Sequence, residues 1–288
     1  MDWIERMNAA VAYIEDHLTE DLDIAAAARV AQCSPYHFQR IFPLMTSITP
    51  AEYVRRRRMS LAAVELRDPD ARVLDVAIKY GYNSPTAFNR AFQGVHGIAP
   101  SLVRLGGTTV KSYPPITFTM TIRGREELRY RVEEGEAFRV VGVSVPCEMN
   151  VEPEPNPILQ LWEVAARTGI LERLAELNDA APNGLVAVMV PDPDSDLTSW
   201  RYILSAVSSK PVPDGMEEYT VTPYTWAVFP SDGGGPEAMG AIWERIANEW
   251  LPTSGYEYAD GPDMEVYLDP VSLEEGQFEL RIPVRRAQ

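Results

Sequence analysis

Several things are scarce in this 288-residue chain, and each scarcity closes off a class of function. It holds two cysteines, Cys33 and Cys147, which lie far apart and outside any metal-like spacing, so neither a disulfide framework nor a zinc site is expected. The three histidines, His17, His37 and His96, are scattered through helical patterns and form no ligand cluster; we expect structural roles for them and no metal or cofactor. No apolar run approaches membrane-spanning length and no stretch has the layout of a signal peptide, so a soluble cytoplasmic protein without a membrane partner is expected. There is also no overall basic excess. With 26 Lys+Arg against 42 Asp+Glu the net charge is −16, which as a whole would repel nucleic acid.

What is present is a repeat. Between Ile24 and Pro100 the chain says the same thing twice at a spacing of fifty residues. Ser34-Pro35 falls on Ser84-Pro85, Phe38 on Phe88, Arg40 on Arg90, Phe42 on Phe92, and Ile48-Thr49-Pro50 on Ile98-Ala99-Pro100. Two copies are too few for a solenoid, so we read a pair of like modules. Each parses as two short helices across a tight turn. The first has Ile24 to Val30, then Ala31-Gln32-Cys33, then a helix opened by Ser34 as N-cap and Pro35 at its first position; the second has Leu74 to Tyr80, Gly81-Tyr82-Asn83 and Ser84-Pro85. Phe38, Ile41 and Phe42, like Phe88, Ala91 and Phe92, form a core stripe. That leaves Tyr36, Gln39 and Arg40, then Thr86, Asn89 and Arg90, as outward positions whose side chains suit base edges: arginine for guanine, glutamine or asparagine for adenine. A helical repeat for protein contacts, or a plain bundle, would carry the same caps and stripes; the repeated outward arginine favours a helix-turn-helix pair.

The charge distribution agrees once it is divided. Residues 1–105 hold 12 basic and 12 acidic residues, leaving 14 and 30 for residues 106–288, so the whole acidic excess lies in the second part. From Ser34 to Arg104 there are ten basic residues against five acidic, the local balance that phosphate contact needs. Arg55 to Arg58 is the densest block. Four consecutive helical residues point around the whole cylinder, so at most two of them are expected to face phosphates.

These residues resemble a known family. Asp23-Ile24-Ala25-Ala26-Ala27-Ala28, the segment from Ser34 to Phe42, Thr49-Pro50-Ala51-Glu52-Tyr53 and the stretch from Gly81 to Pro100 look like the DNA-binding domain of AraC/XylS-type transcription regulators. The resemblance covers about the first 105 residues. It implies double-stranded operator DNA as partner, with two recognition helices entering successive major-groove segments, held apart by a helix that begins near Pro50. It also implies that Tyr36, Gln39, Arg40, Thr86, Asn89 and Arg90 read bases or adjacent phosphates.

After Arg104 the texture changes. Strand-like stretches run from Thr117 to Ile122, Phe138 to Val145, Leu185 to Val190, Arg201 to Val207, Thr225 to Phe229, Glu265 to Leu268 and Phe278 to Val284, with amphipathic helices from Ile158 to Asn178 and Pro236 to Trp250. The order strand, helix, strand, strand, then the same again, predicts an α+β domain with helices packed on one sheet. The expected division is therefore an all-α domain over 1–105 and an α+β domain over 106–288. Phe138 to Gly142, Trp226 to Phe229, Trp250 to Glu257, Asp263 to Tyr267 and Phe278 to Val284 look like the GyrI-like effector-binding domain, and the same pairing of domains occurs in Rob-like regulators.

That resemblance implies a twofold arrangement enclosing a cleft, with the glutamates at Glu265 and Glu279 pointing into it. The residues themselves add that Trp162, Trp200, Tyr202, Tyr224, Trp226, Trp243 and Tyr267 supply large flat surfaces, while both glutamates lie inside apolar strands. A carboxylate facing an apolar cleft is costly unless a cation or hydrogen-bond donors meet it. We therefore expect a small lipophilic aromatic cation as effector, bound by Glu265, Glu279, Tyr267, Trp162 and Trp226, with cation–π contacts of about 0.5–2 kcal/mol each. Relatives often place an aromatic residue where Arg281 stands; a cation there is able to pair with a glutamate. The reading is a one-component transcription regulator, not an enzyme, whose effector alters DNA occupancy or contact with RNA polymerase. The alternative is a hydrolase of electrophilic small molecules with Glu265 or Glu279 as general base. No nucleophile–base pair, metal set or nucleotide loop accompanies them.

Overall fold

The computed structural model describes residues 3–105, 108–119, 127–148, 155–192, 199–231, 233–268 and 276–287. Two compact units divide it, Met1–Met120 and Thr121–Gln288.

The first unit contains α1 (Trp3–Asp16), α2 (Ile24–Val30), α3 (Pro35–Thr46), α4 (Pro50–Glu65), α5 (Val73–Lys79) and α6 (Pro85–His96), followed by a 3-10 turn at Pro100–Leu102. The repeat is visible in the punctuation. Ser34 Oγ accepts from the backbone N–H of His37 and Ser84 Oγ from that of Ala87, contacts typically worth ~1 kcal/mol each. Both helices are twelve residues long and both end on a left-handed residue, Ser47 (φ 59°) and Gly97 (φ 77°), whose N–H returns to Pro43 and Gln93 respectively. Phe38, Ile41, Phe42, Phe88 and Phe92 are buried, and Ala91 packs against the second module's core. Between the modules α4 packs on both α3 and α6. Beyond residue 105 the chain stays on the helical unit: Val110 and Tyr113 pack on the second module's core, and the ring of Phe118 stands edge-on to Phe42 at 6.1 Å.

The second unit contains β1 (Arg131–Gly135), β2 (Phe138–Glu148), α7 (Pro157–Thr168), α8 (Ile170–Leu177), β3 (Leu185–Pro191), β4 (Ser199–Val207), β5 (Glu217–Val221), β6 (Tyr224–Pro230), α9 (Gly235–Arg245) continued by a π-turn at Ile246–Trp250, β7 (Tyr256–Tyr258), β8 (Asp263–Tyr267) and β9 (Phe278–Arg286). All pairings are antiparallel, in the order β1-β6-β9-β8-β3-β4-β2-β5, with β7 added on β9. The doubled strand-helix-strand-strand unit is β2-α7/α8-β3-β4 followed by β6-α9-β8-β9. Two expectations are corrected. Thr117–Thr119 form no strand, and the rest of that stretch lies outside the described residues. The long helix from Ile158 is broken, because Gly169 is left-handed (φ 74°) and separates α7 from α8.

Connectivity shows how the sheet is shaped. Residues 136 and 137 alone join β1 to β2, although these strands stand six places apart, a distance of ~29 Å on a flat sheet. Such a link spans only ~10 Å, so the sheet must curl until its ends approach. Thr222 and Pro223 impose the same closure between β5 and β6. The inside of so tight a curl has room for side chains only, which places the helices outside. Register assigns Val140, Val186, Val188, Ile203, Trp226, Val228, Met264 and Val266 to the inner face, where they form one apolar cluster. The alternate residues face the helices.

Candidate DNA-reading helices and effector site

In the helical unit α6 presents Thr86, Asn89 and Arg90 exposed, and Gln93 Nε2 donates to Asn89 Oδ1 at 3.3 Å. The equivalent surface of α3 is different. Gln39 and Arg40 are half-buried and Tyr36 is only 2 % exposed, which corrects the expectation that Tyr36 points outward. Its hydroxyl accepts from Arg40 Nη1 at 2.9 Å, and the guanidinium carbon lies 5.7 Å from its ring centroid. Tyr36 thus braces an arginine, while Thr86, at the same place in the second module, is too short to do so.

The four-arginine block turns out to be mostly scaffold. Arg57, 7 % exposed, is bound to both carboxylate oxygens of Glu15 and donates to Tyr113 O at 2.5 Å. Arg58 donates to Leu18 O and Glu20 O, and Arg55 and Arg56 share Glu52. Arg58 also lines a groove of about 650 Å³ with Arg55, Asp21, Ile78 and Tyr82. Tyr53, hydrogen-bonded to Glu15, has its hydroxyl pushed far above the usual tyrosine value by burial first and by Glu15 second, so it remains a donor.

In the sheet unit the expected ligand residues divide between two faces. Glu265 pairs across strands with Ala187 and Leu280, and so faces the helices. Its Oε2 accepts from Tyr267 (2.8 Å) and from Tyr202 (3.0 Å), and Trp162 Nε1 of α7 donates to the Tyr202 hydroxyl at 3.0 Å. The Trp162 and Tyr267 rings meet edge to face at 4.9 Å, and Trp200 stands 6.5 Å from Tyr202. Burial, and then the Glu265 charge, hold both tyrosine hydroxyls well above their ordinary pKa, so both stay protonated and donate.

Glu279 pairs with Val266 and therefore lies on the inner face, together with Trp226. Trp226 belongs to the inner apolar cluster. Glu279 receives Arg131 Nη1 at 2.8 Å and Arg281 Nη2 at 2.7 Å, and Arg281 reaches Glu133 at 3.0 Å. Burial alone would raise its pKa; the two arginines outweigh that and lower it. Arg281 does pair with a glutamate. The structure thus brings Glu265, Tyr267 and Trp162 together with Tyr202, and leaves Glu279 and Trp226 on the other side of the sheet. Strand parity sets Tyr202, Trp200 and Tyr267 on the face opposite Tyr224 and Trp226, and parity needs the register.

Residues 131–284, over half the chain, match the family model described as integron-associated effector binding protein. The chain belongs to that family. Residues 27–105 match a helix-turn-helix domain model, so this effector-binding family member is a DNA-binding AraC-type transcription regulator with a GyrI-like second domain. Among curated relatives, the HTH-type transcriptional activator AarP of Providencia stuartii is 37% identical over 98 residues, covering 34% of this chain and 73% of the relative. The regulatory protein SoxS of Escherichia coli K12 is 36% identical over 91 residues, covering 32% and 85%. The integron cassette protein from the mobile metagenome of Vibrio cholerae, a solved structure, has 17% identity and a TM-score of 0.41, covering 54% of this chain and 95% of that one. Both named relatives are regulators. Among the described residues no helix is long and apolar enough to cross a membrane, and no His, Cys, Asp and Glu cluster is arranged to hold a metal ion.

Proposed function

We propose that this regulator binds an operator through α3 and α6 and is controlled by a small lipophilic aromatic cation bound beside Glu265. The observation that carries the effector reading is a 6 % exposed carboxylate receiving two tyrosine hydroxyls inside a wall of Trp162, Tyr202 and Tyr267. Buried negative charge and electron-rich ring faces together attract a desolvated cation. Gln39, Arg40, Thr86, Asn89 and Arg90 are the base- or phosphate-contacting set, with Tyr36 supporting Arg40 from beneath. Effector binding changes occupancy of the operator or contact with RNA polymerase. The site acts by binding, and ligands incubated with the protein should be recovered chemically unchanged.

Calorimetric titration of wild type and Glu265→Gln tests the site, with tetraphenylphosphonium as cation and triphenylphosphine oxide as neutral counterpart. The substitution should weaken the cation about tenfold, ~1.4 kcal/mol, and the neutral compound less than about twofold. Equal losses for the two compounds overturn the charge-based reading.

A further inference from the structure

Residues 108–118 have no regular secondary structure, yet their backbone is tied along its length to the helical unit by side chains from three helices. Lys111 N–H donates to His96 Nδ1 (3.2 Å) at the end of α6. Tyr113 N–H donates to Ser60 Oγ (3.0 Å), and its carbonyl accepts from Arg57 of the same helix, α4. Ile116 N–H donates to the Tyr53 hydroxyl at 3.3 Å. Phe118 is held twice by Asn8 of α1: its N–H donates to Oδ1 (2.8 Å) and its carbonyl accepts from Nδ2 (2.9 Å). Arg56 covers the Tyr113 ring at 5.0 Å. A backbone segment outside helices and sheets must find partners somewhere, and here a series of side chains has been placed to provide them.

The route of this strap matters more than the number of its ties. It begins in the second module's core through Val110 and Tyr113, crosses α4, and ends in the first module's core at Phe118 and Phe42. From Lys111 to Phe118 an extended chain reaches ~24 Å. Otherwise α4 is the element whose packing on both α3 and α6 relates the two modules, and a single helix resists splaying and rotation poorly. A second connection, anchored at both ends, removes that freedom.

We infer that the strap of residues 110–118 clamps the two reading modules at one separation and phase, making Asn8, Ser60 and His96 determinants of the operator spacing the protein accepts. This rests on the proposal that α3 and α6 both read DNA. One inserted base pair displaces the second segment by ~3.4 Å along the duplex, which a clamped pair of helices cannot follow and a loose pair can.

The test uses the full chain and an operator selected from a randomised duplex pool, then altered by one base pair inserted or removed between its two segments. Wild type should lose at least about thirtyfold in affinity on either altered site. The double substitution Asn8→Ala with Ser60→Ala should narrow that ratio below about fivefold. Asp23→Ala, which removes the α2 N-cap without touching the strap, is the control for lost stability and should keep the wild-type ratio. If wild type ignores spacing, the two-module reading itself fails. If wild type discriminates and the double variant does so equally, the clamp is refuted with that reading intact. Narrowing of the same size in Asp23→Ala refutes it too, since the effect then follows general destabilisation.

Discussion

Both units of this regulator are built on a doubled motif, and they put the doubling to opposite uses. In the helical unit the copies stay alike in their caps and in one arginine: Ser34 and Ser84 cap equivalent helices, and Arg40 and Arg90 occupy the same turn, although the surfaces around them differ. If each copy makes its own contact, as proposed, the doubling repeats a function. In the sheet unit the copies meet at the β3–β8 pair, where Ala187 stands opposite Glu265. Walking outward from that pair, Leu204 and Val143 on one side correspond to Leu280 and Phe229 on the other. The chemistry does not correspond. The carboxylate has an alanine as its counterpart, and Tyr202, two residues before Leu204, has Phe278, which lacks the hydroxyl. A single site results, built from Tyr202 of one half and Glu265 and Tyr267 of the other. On the proposed reading, repetition supplies two readers in one unit and one asymmetric receptor at the junction of halves in the other.

Forcing symmetry on the receptor should have the largest effect. Ala187→Glu places a second buried carboxylate opposite Glu265 in a position with no exposed surface, and we expect a stability loss of about 3–5 kcal/mol in chemical denaturation. A loss below ~1 kcal/mol would mean that the junction is wetter or looser than described. Forcing asymmetry on the readers should cost less. Arg40→Ala and Arg90→Ala are each expected to weaken operator binding by ~1–3 kcal/mol, with the two losses adding in the double variant because the modules make separate contacts. A variant that leaves affinity unaltered identifies a module that does not read.

The smallest effect concerns a position where the helical copies do differ. Thr46 donates to Phe42 O and Ile48 O within its own module, whereas fifty residues on His96 accepts the strap at Nδ1 and faces Met59 O through Nε2. Burial, with Lys111 nearby, lowers the His96 pKa below its ordinary 6.5. A depressed folded value means that its stabilising contribution is complete above pH ~6.5 and is lost as pH falls through the folded pKa. Thermal melts between pH 7.5 and 5 should therefore show a decline that flattens in His96→Thr, by about 1 °C or a few degrees. An identical decline in the variant assigns the slope to other groups.

What could be read from the chain follows from how local each signal is. The caps at Ser34 and Ser84 and the Phe38/Phe42 and Phe88/Phe92 pairs each act within one helix, and the repeat exposes them; the left-handed stop at Ser47 is not legible, since nothing in a serine announces a positive φ. The burial of Tyr36 is not legible, because the apolar stripe sets its direction but not the folding of Arg40 over it. Glu265 and Glu279 look alike as acids in apolar strands. Whether they share a face depends on the β8–β9 register, which opposes Glu265 to Leu280 and is set by pairing at a distance. The break at Gly169 hides inside a helical period, and the strap has no period at all, since its bonds go to side chains on three other elements.

A cation at Glu265 is proposed to change what the helices do on DNA. Fluorescence anisotropy with the selected operator, at fixed salt and across a titration of tetraphenylphosphonium, tests it directly. Operator affinity should shift with the cation in wild type, and the same shift in Glu265→Gln should need about tenfold more cation. An unchanged wild-type affinity, with cation binding confirmed in the same sample, would contradict it.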